Sequence, residues 1–203
     1  MARRSDHTRE ELREMALAAA TEIVKNKGIQ KLTTRSVAKK IGYSPGTLYL
    51  IFKDIDDLIF VMNARTLADM RVKMHAAVSH VADPLERLEA MASFYLDYGL
   101  QDIDLWRVMF EHRALGDAPF PEFITRETDE LLLGVGQALK QLMPGMGDAE
   151  LHQNTVALWS GVHGVAHLAI TDKIRVGSDE AYHSIMQRQL DTFVRGLLAD
   201  VGN

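Results

Sequence analysis

Apolar residues recur along this chain with the spacing of amphipathic helices, and no stretch shows the alternation that is typical of strands. Glycine, proline and helix-capping residues divide the pattern into nine segments. The predicted helices cover about residues 6–27, 33–42, 44–51, 54–80, 83–100, 102–115, 122–143, 148–174 and 178–201. The pattern therefore predicts an all-α fold.

Two of these helices are short and lie on either side of a tight turn, in the stretch "TTRSVAKKIGYSPGTLYLIF" at residues 33–52. This arrangement is typical of a helix-turn-helix, in which the second helix enters a DNA major groove about 12 Å wide. Ser44, Gly46 and Thr47 are small, so they allow a close approach to DNA and offer hydroxyl and backbone N–H groups to it. The segment predicts a DNA-binding head.

The distribution of charge supports this interpretation, although the chain as a whole is acidic, with a net charge of -5 over 203 residues. Residues 1–53 hold eleven Lys or Arg and five acids, a net +6, and the remaining residues hold twelve and twenty-three, a net -11. A basic segment on an acidic chain favours binding to a polyanion. Four cations flank the helix-turn-helix and are candidates for phosphate contacts: Arg35, Lys39, Lys40 and Lys53.

Composition narrows the remaining classes of function. The chain has no cysteine, which excludes disulfides and thiolate zinc sites, and 47% of its residues are apolar, which suits a substantial globular core. It has neither a signal peptide pattern nor an apolar run approaching the ~18 residues of a membrane span, so we expect a cytoplasmic protein without a membrane partner. There is no Gly-rich phosphate loop and no nucleophile elbow, and Glu111-His112 has the wrong spacing for a di-metal bundle site. An enzyme is therefore not predicted.

Residues 32–58, "LTTRSVAKKIGYSPGTLYLIFKDIDDL", closely resemble the helix-turn-helix of the tetracycline-repressor (TetR) family of transcriptional regulators. The resemblance lies in the Leu-Thr-Thr opening, Val37-Ala38, Gly42, the small residues at 44–47 and the Tyr49-x-x-Phe52 pair. "WSGVHG" at 159–164 also resembles a Trp-x-x-x-His-Gly motif of one C-terminal subgroup.

The resemblance implies a three-helix DNA-binding head in residues 1–53 and a larger helical-bundle body, for ligand binding and dimerisation, in residues 54–203. Ile55 stands where the family usually has a lysine, and Lys53 is expected to replace that phosphate contact. The residues expected to face DNA are Thr34, Arg35, Tyr43, Ser44, Gly46, Thr47, Tyr49 and Lys53.

The last helix is apolar around more of its circumference than one narrow stripe, which favours contact with a second chain as well as with its own core. The resemblance implies a homodimer built from the last two helices. The candidate interface residues are Gly161, Gly164, Ile185, Phe193 and Leu197. A two-fold dimer presents two recognition helices, which implies a roughly palindromic operator.

A small-molecule pocket is predicted in the body, because aromatic and histidine side chains share helix faces there. The candidate lining residues are Phe94, Tyr98, Trp106, Met109, Phe110, Trp159, His163 and His167. Each of them also suits an ordinary helical core. The apolar walls favour a hydrophobic or amphipathic effector, and the resemblance implies a repressor that such an effector releases from DNA.

Two other interpretations remain open: a DNA-binding regulator whose body binds a protein in place of a small molecule, and a helical-bundle metal enzyme. The spacing of His163 and His167, i and i+4, suits a shared metal, but the sequence indicates no third ligand. We therefore predict no metal and no cofactor.

Overall fold

The computed structural model describes residues 7–113, 120–173 and 176–201. Over these residues it has nine α-helices, one short 3-10 turn at Ile29–Lys31 and no strand, which confirms the predicted all-α fold. The helices are α1 (Arg9–Lys27), α2 (Thr34–Ile41), α3 (Pro45–Leu48), α4 (Ile55–Val78), α5 (Pro84–Gln101), α6 (Ile103–Glu111), α7 (Glu122–Leu142), α8 (Asp148–Ile170) and α9 (Asp179–Val201).

The helices form two compact units, which the chain enters more than once. The first unit comprises Met1–Leu67 and Asp102–Thr125, and the second comprises Ala68–Gln101 and Arg126–Asn203. The first unit thus adds the start of α4 and the whole of α6 to the helix-turn-helix head. The boundary predicted after Lys53 does not coincide with a division between these compact units, and it stays a prediction.

Local hydrogen bonds explain where the helices of the head begin and end. Thr8 and Glu11 form a capping box at the start of α1, with the Thr8 N–H donating to Glu11 Oε2 over 2.6 Å. Thr33 and Ser36 form the same arrangement at the start of α2. Gly42 ends α2 in the left-handed conformation, at φ 78°, which suits a residue without a Cβ.

The head has a core of its own, which fixes the angle between α2 and α3. Val37 and Ala38 of α2 and Leu48 of α3 are buried against the apolar face of α1. Burying a side chain of the size of valine or leucine stabilises a fold by roughly 1.5–3 kcal/mol. The other buried residues of this core are Leu12, Ala16, Leu17, Ala19, Ala20, Ile23, Val24, Leu32, Ile51, Phe52, Leu58, Ile59, Met62, Leu105 and Val108.

Polar contacts also tie α4 and α6 into the first unit. The Asn63 side-chain amide is buried and donates to the carbonyl oxygen of Val108 over 3.1 Å. Asp102, the N-cap of α6, accepts from the N–H of Leu105 and forms an ion pair with Lys25 of α1. Because a buried amide is costly without a partner, the Asn63 bond fixes the register between α4 and α6.

The second unit is a bundle in which α8 packs on α9 and both pack on α5. Its fully buried side chains include Leu96 of α5, Leu139 of α7, Leu158 of α8 and Leu190 of α9. Gly161 of α8 leaves room for the side-chain amide of Gln189 on α9, since a Cβ at this position would lie 2.2 Å from the side-chain nitrogen of Gln189. The glycine predicted for contact with a second chain thus also serves packing within one chain.

Four predicted helices end earlier than their sequence pattern suggests. Helix α3 ends at Leu48 rather than near residue 51. Helix α4 ends at Val78 rather than near residue 80, and α6 ends at Glu111 because His112 adopts an extended conformation. Helix α8 ends at Ile170, where a turn follows with Asp172 at φ 51°. The predicted ends of α6 and α8, Leu115 and Ile174, lie outside the described residues.

Candidate nucleic-acid interface and ligand cavity

The helix-turn-helix presents an uncharged, accessible tip. Pro45 is the first residue of α3, and Ser44 precedes it in the extended conformation of an N-cap. The Ser44 hydroxyl lies 3.2 Å from the Thr47 hydroxyl rather than capping the helix. Gly46 is exposed, so backbone and hydroxyl donors at this tip are accessible to a phosphate or a base edge.

Large side chains at the far end of α3 are also exposed. Tyr49 exposes 59% of its surface and Leu50 71%, whereas their neighbour Leu48 is buried. An exposed tyrosine and leucine side by side on a head with a well-filled core are typical of a contact surface. Sequence reasoning missed Leu50, whose exposure depends on the three-residue turn that follows α3.

The other residues predicted to face DNA are distributed over both helices and the turn. Thr34 and Arg35 start α2, and Arg35 and Lys53 are exposed. The Tyr43 hydroxyl lies 2.7 Å from His7 Nδ1, so this tyrosine is held against the start of the chain. Among the flanking cations, Lys40 forms an ion pair with Glu22 over 2.6 Å. Because this pair would have to break, Lys40 is a weaker candidate for a phosphate contact than Arg35 or Lys53.

The second unit contains an apolar cavity between α4, α5, α7, α8 and α9. It is small, about 30 Å³ of space that the centre of a water molecule can reach, which is room for roughly two waters. The lining residues are Met74, Leu88, Met91, Ala92, Tyr95, Leu131, Val135, Leu158, Trp159, Val162 and Leu190. None of these described lining residues is charged, so the cavity suits an uncharged, apolar group.

An aromatic row runs along α8 beside the cavity. Trp159 and His163 stack with ring centroids 5.0 Å apart, and His163 and His167 stack at 6.0 Å. The Tyr95 hydroxyl lies 2.8 Å from His163 Nδ1, within hydrogen-bond distance. Tyr95 therefore contributes its ring to the cavity wall while its polar end is held by His163.

Burial, with a smaller contribution from the neighbouring His167, lowers the pKa of His163 to about 4. His163 is thus neutral near pH 7. The usual pKa of a histidine in the unfolded chain is 6.5. As the pH falls below this value, His163 becomes protonated in the unfolded chain but stays neutral in the folded protein. Stability should therefore fall as the pH falls from about 6.5 to about 4.

The variant His163→Gln should lose part of this pH dependence, since glutamine keeps a hydrogen-bonding group but does not titrate. Allowing for partial solvent exposure, we expect the free energy of unfolding of the unsubstituted protein to drop by on the order of 1–2 kcal/mol more than that of the variant. Urea unfolding between about pH 7 and about pH 4 measures this difference. If the free energy of unfolding depends on pH in the same way in both proteins, the assignment of this pH dependence to His163 is refuted.

The structure brings only part of the predicted pocket together. Trp159 lines the cavity, and His163 touches its wall through Tyr95. Phe94 and Tyr98 pack on each other instead, with the Tyr98 hydroxyl donating to Asp69 over 3.1 Å. Trp106, Met109 and Phe110 belong to the first unit, where Trp106 is buried against Phe110 at 4.7 Å.

The lining residues that sequence reasoning missed come mainly from helices α4, α5 and α7. Met74, Met91 and Leu131 each look like ordinary core positions in the sequence. The cavity exists only once these helices have packed against one another. Helical periodicity therefore could not show that these residues line a cavity. Tyr95 was missed for the same reason.

The predicted dimer residues lie on α8 and α9, with an apolar surface around them. Ile185 exposes 41% of its surface, and Val156 and Leu198 are also exposed. Gly164 has open space where a Cβ would lie. Phe193 and Leu197 are half-buried.

Neither a metal-ion cluster nor a membrane-spanning helix is found among the residues that the structure describes. No three His, Asp or Glu side chains come together in a way that would hold a metal ion. None of the described helices is both long and apolar enough to pass through a membrane.

The fold and these surfaces define a class of helical regulator, with a helix-turn-helix head and a ligand-binding bundle. Residues 16–62 match the family model "Bacterial regulatory proteins, tetR family", and residues 88–193 match "Tetracyclin repressor-like, C-terminal domain". The chain belongs to the TetR family, and it is a transcriptional regulator with a DNA-binding and a ligand-binding domain. Both models describe parts of regulators, which indicates a role other than catalysis.

Solved structures with the same fold are distant in sequence. A protein of unknown function from Rhodococcus sp. RHA1 is 20% identical, with a TM-score of 0.75 over 96% of this chain and 98% of that one. FadR from Bacillus subtilis, in complex with stearoyl-CoA, is 17% identical, with a TM-score of 0.63 over 90% and 98%. RolR, in complex with resorcinol, is 14% identical, with a TM-score of 0.68 over 91% and 88%. No curated protein matches the sequence.

Proposed function

We propose that this chain is a dimeric repressor that binds a palindromic operator and is released from it by a small hydrophobic or amphipathic effector. The observation that carries the DNA-binding part is the accessible, uncharged tip of α3 on a head that is basic in an acidic chain. The contacts are assigned to Thr34, Arg35, Tyr43, Ser44, Gly46, Thr47, Tyr49 and Lys53.

Dimerisation is supported by the exposed apolar side chains of α8 and α9, including Ile185 and Leu198. Side chains of this kind on adjacent helices are stabilised when a second copy covers them. Two recognition helices related by a two-fold axis would then read two half-sites about one DNA turn apart. The interface is assigned to Gly161, Gly164, Ile185, Phe193 and Leu197.

Release by an effector is supported by the apolar cavity in the second unit. FadR and RolR, which share this fold, were solved with stearoyl-CoA and with resorcinol, so folds of this kind accommodate small organic ligands. A ligand larger than two water molecules must displace side chains of the wall. Two of these are methionines, whose flexible side chains adapt readily to a new shape.

Selection of bound sequences from a random DNA pool tests the proposal directly. A palindromic consensus supports a dimeric regulator and supplies the probe for effector screening by release from DNA. A non-palindromic consensus contradicts the proposed symmetry, and the absence of any enrichment by folded protein contradicts operator binding.

Arg35 and Lys53 should contribute to operator binding through phosphates. If so, Arg35→Gln and Lys53→Gln each weaken binding to all DNA sequences, and each lowers the slope of log affinity against log salt by about 1. Fluorescence anisotropy at several salt concentrations measures the slope. Lys25→Gln is a matched control, because Lys25 pairs with Asp102 within the first unit. A relaxed preference at one base pair, without a change in slope, would instead assign base contact to the substituted residue.

A further inference from the structure

A surface groove lies against the apolar cavity of the second unit, formed by α4, α5 and α7. It is much larger than the cavity, about 460 Å³ on the same measure. The side chains of Met74, Met91 and Leu131 line both spaces, so they form the partition between them. Exposed Val72 and Leu133 form the apolar lips of the groove.

Met91 holds its place in this partition because of a glycine on the facing helix. The terminal methyl of Met91 occupies the position above Gly134, where a Cβ would lie 2.7 Å from it. Real side chains do not approach so closely, so any larger residue at 134 would push the methyl aside. The partition therefore includes two flexible methionine side chains. The terminal methyl of Met91 can hold its position only because residue 134 is a glycine.

The two spaces differ in chemistry. Among the described residues, those that line the cavity are uncharged, whereas the groove carries Arg71, His75, Glu130 and Gln137. Arg71 is the groove residue best suited to bind an anion. Its pairing with Glu127 is 3.8 Å long, beyond hydrogen-bond distance, and its buried Nε has no hydrogen-bond partner among the described residues. Arginine presents five donors in a planar fork that matches a carboxylate.

We propose that the groove and the cavity are two halves of one elongated binding site, separated by Met91 as a gate. The ligand is an amphipathic molecule with an acidic head group. The end of its apolar chain enters the cavity when Met91 moves, and the rest of the chain and its carboxylate stay in the groove, the carboxylate beside Arg71 and His75. The proposal rests on the proposed function only where it calls this ligand the effector.

The orientation of such a ligand is testable with straight-chain carboxylates that carry a bromine, a short-range quencher of tryptophan fluorescence. Trp159 lines the cavity, so ω-bromododecanoate should quench its emission and α-bromododecanoate should not. The variant Trp159→Phe identifies the share of the signal that comes from Trp159. Equal quenching by the two isomers, or quenching by neither, overturns the proposed orientation.

The gate is testable by the rate of quenching after rapid mixing with ω-bromododecanoate. If the open position of Met91 is populated to about a tenth, Met91→Ala should accelerate association about tenfold. Gly134→Ala should also accelerate association, and it changes the volume of the core far less than Met91→Ala does. Gly196→Ala is the matched control, since its Cβ would meet open space on α9. If Met91→Ala and Gly134→Ala both associate at the rate of the unsubstituted protein, the proposed gate is overturned.

The head-group site is testable by comparing ω-bromododecanoate with the corresponding bromoalcohol. Arg71→Gln should weaken binding of the carboxylate about tenfold, which is the range for a hydrogen bond to a charged group, and leave the alcohol unchanged. Arg188→Gln, at an exposed position on α9, should change neither. Equal losses for both ligands overturn the acidic-head assignment. These assays use protein without DNA, so binding without operator release would refute the proposed effector role and leave the binding site intact.

Discussion

Replacing Tyr49 with alanine is expected to lower operator affinity by about ten- to a hundredfold, the effect of losing a contact worth about 1–3 kcal/mol. Tyr49 stands at the end of α3 and exposes 59% of its surface, so its side chain is available to DNA and adds little to the core of the head. Fluorescence anisotropy on the selected operator measures the loss. The melting temperature should stay unchanged, since truncation of an exposed side chain leaves no cavity.

Two matched variants separate the possible causes of that loss. Tyr49→Phe keeps the ring and removes only the hydroxyl, so a loss in this variant assigns the contact to a hydrogen bond. Leu133→Ala truncates an equally exposed apolar side chain in the second unit and should not affect DNA binding. An unchanged affinity for Tyr49→Ala would remove this residue from the DNA contacts, and a lowered melting temperature would reassign it to folding.

The head could be predicted in detail because its signals are local. The cap at Thr33 or Thr34, the stop at Gly42 and the Ser44-Pro45 helix start each act within a few residues. Such signals are legible in the sequence without knowledge of the packing. The same holds for the uncharged tip of α3, which follows from residues 44–47 alone.

The cavity could be predicted only as a region, because its walls come from five helices. Trp106 and Trp159 have similar surroundings in the sequence, since both lie on apolar helix faces with aromatic neighbours. Trp106 is buried against Phe110 in the first unit, whereas Trp159 lines the cavity of the second. The difference depends on which helices pack together, and helical periodicity does not encode that choice.

Long-range contacts also determine what the methionines do. In the sequence Met91 is one more apolar residue of an amphipathic helix. Its position depends on Gly134, which is forty-three residues away in the chain and faces it across two packed helices. Glycine in a helix costs about 1 kcal/mol relative to alanine, and this close approach gives Gly134 a physical role.

Filling the cavity should abolish the response to an effector while leaving operator binding intact. Ala92 lies on α5 in the cavity wall and is buried. Ala92→Leu would place three more carbons in a space with room for roughly two waters, so an effector could no longer enter. We expect the effector concentration for half-release from DNA to rise at least about tenfold, with unfolding free energy changed by no more than about 1–3 kcal/mol.

The measurement is the dose–response of operator release, run in parallel with the thermal shift that the same compound causes in the protein alone. Ala77→Leu makes the same substitution at an exposed position of α4 and should leave both curves unchanged. An unchanged response in folded Ala92→Leu would place the effector outside this cavity. Because the substitution lies in the second unit, a lost response together with normal operator affinity would assign ligand binding and DNA binding to different units of the chain.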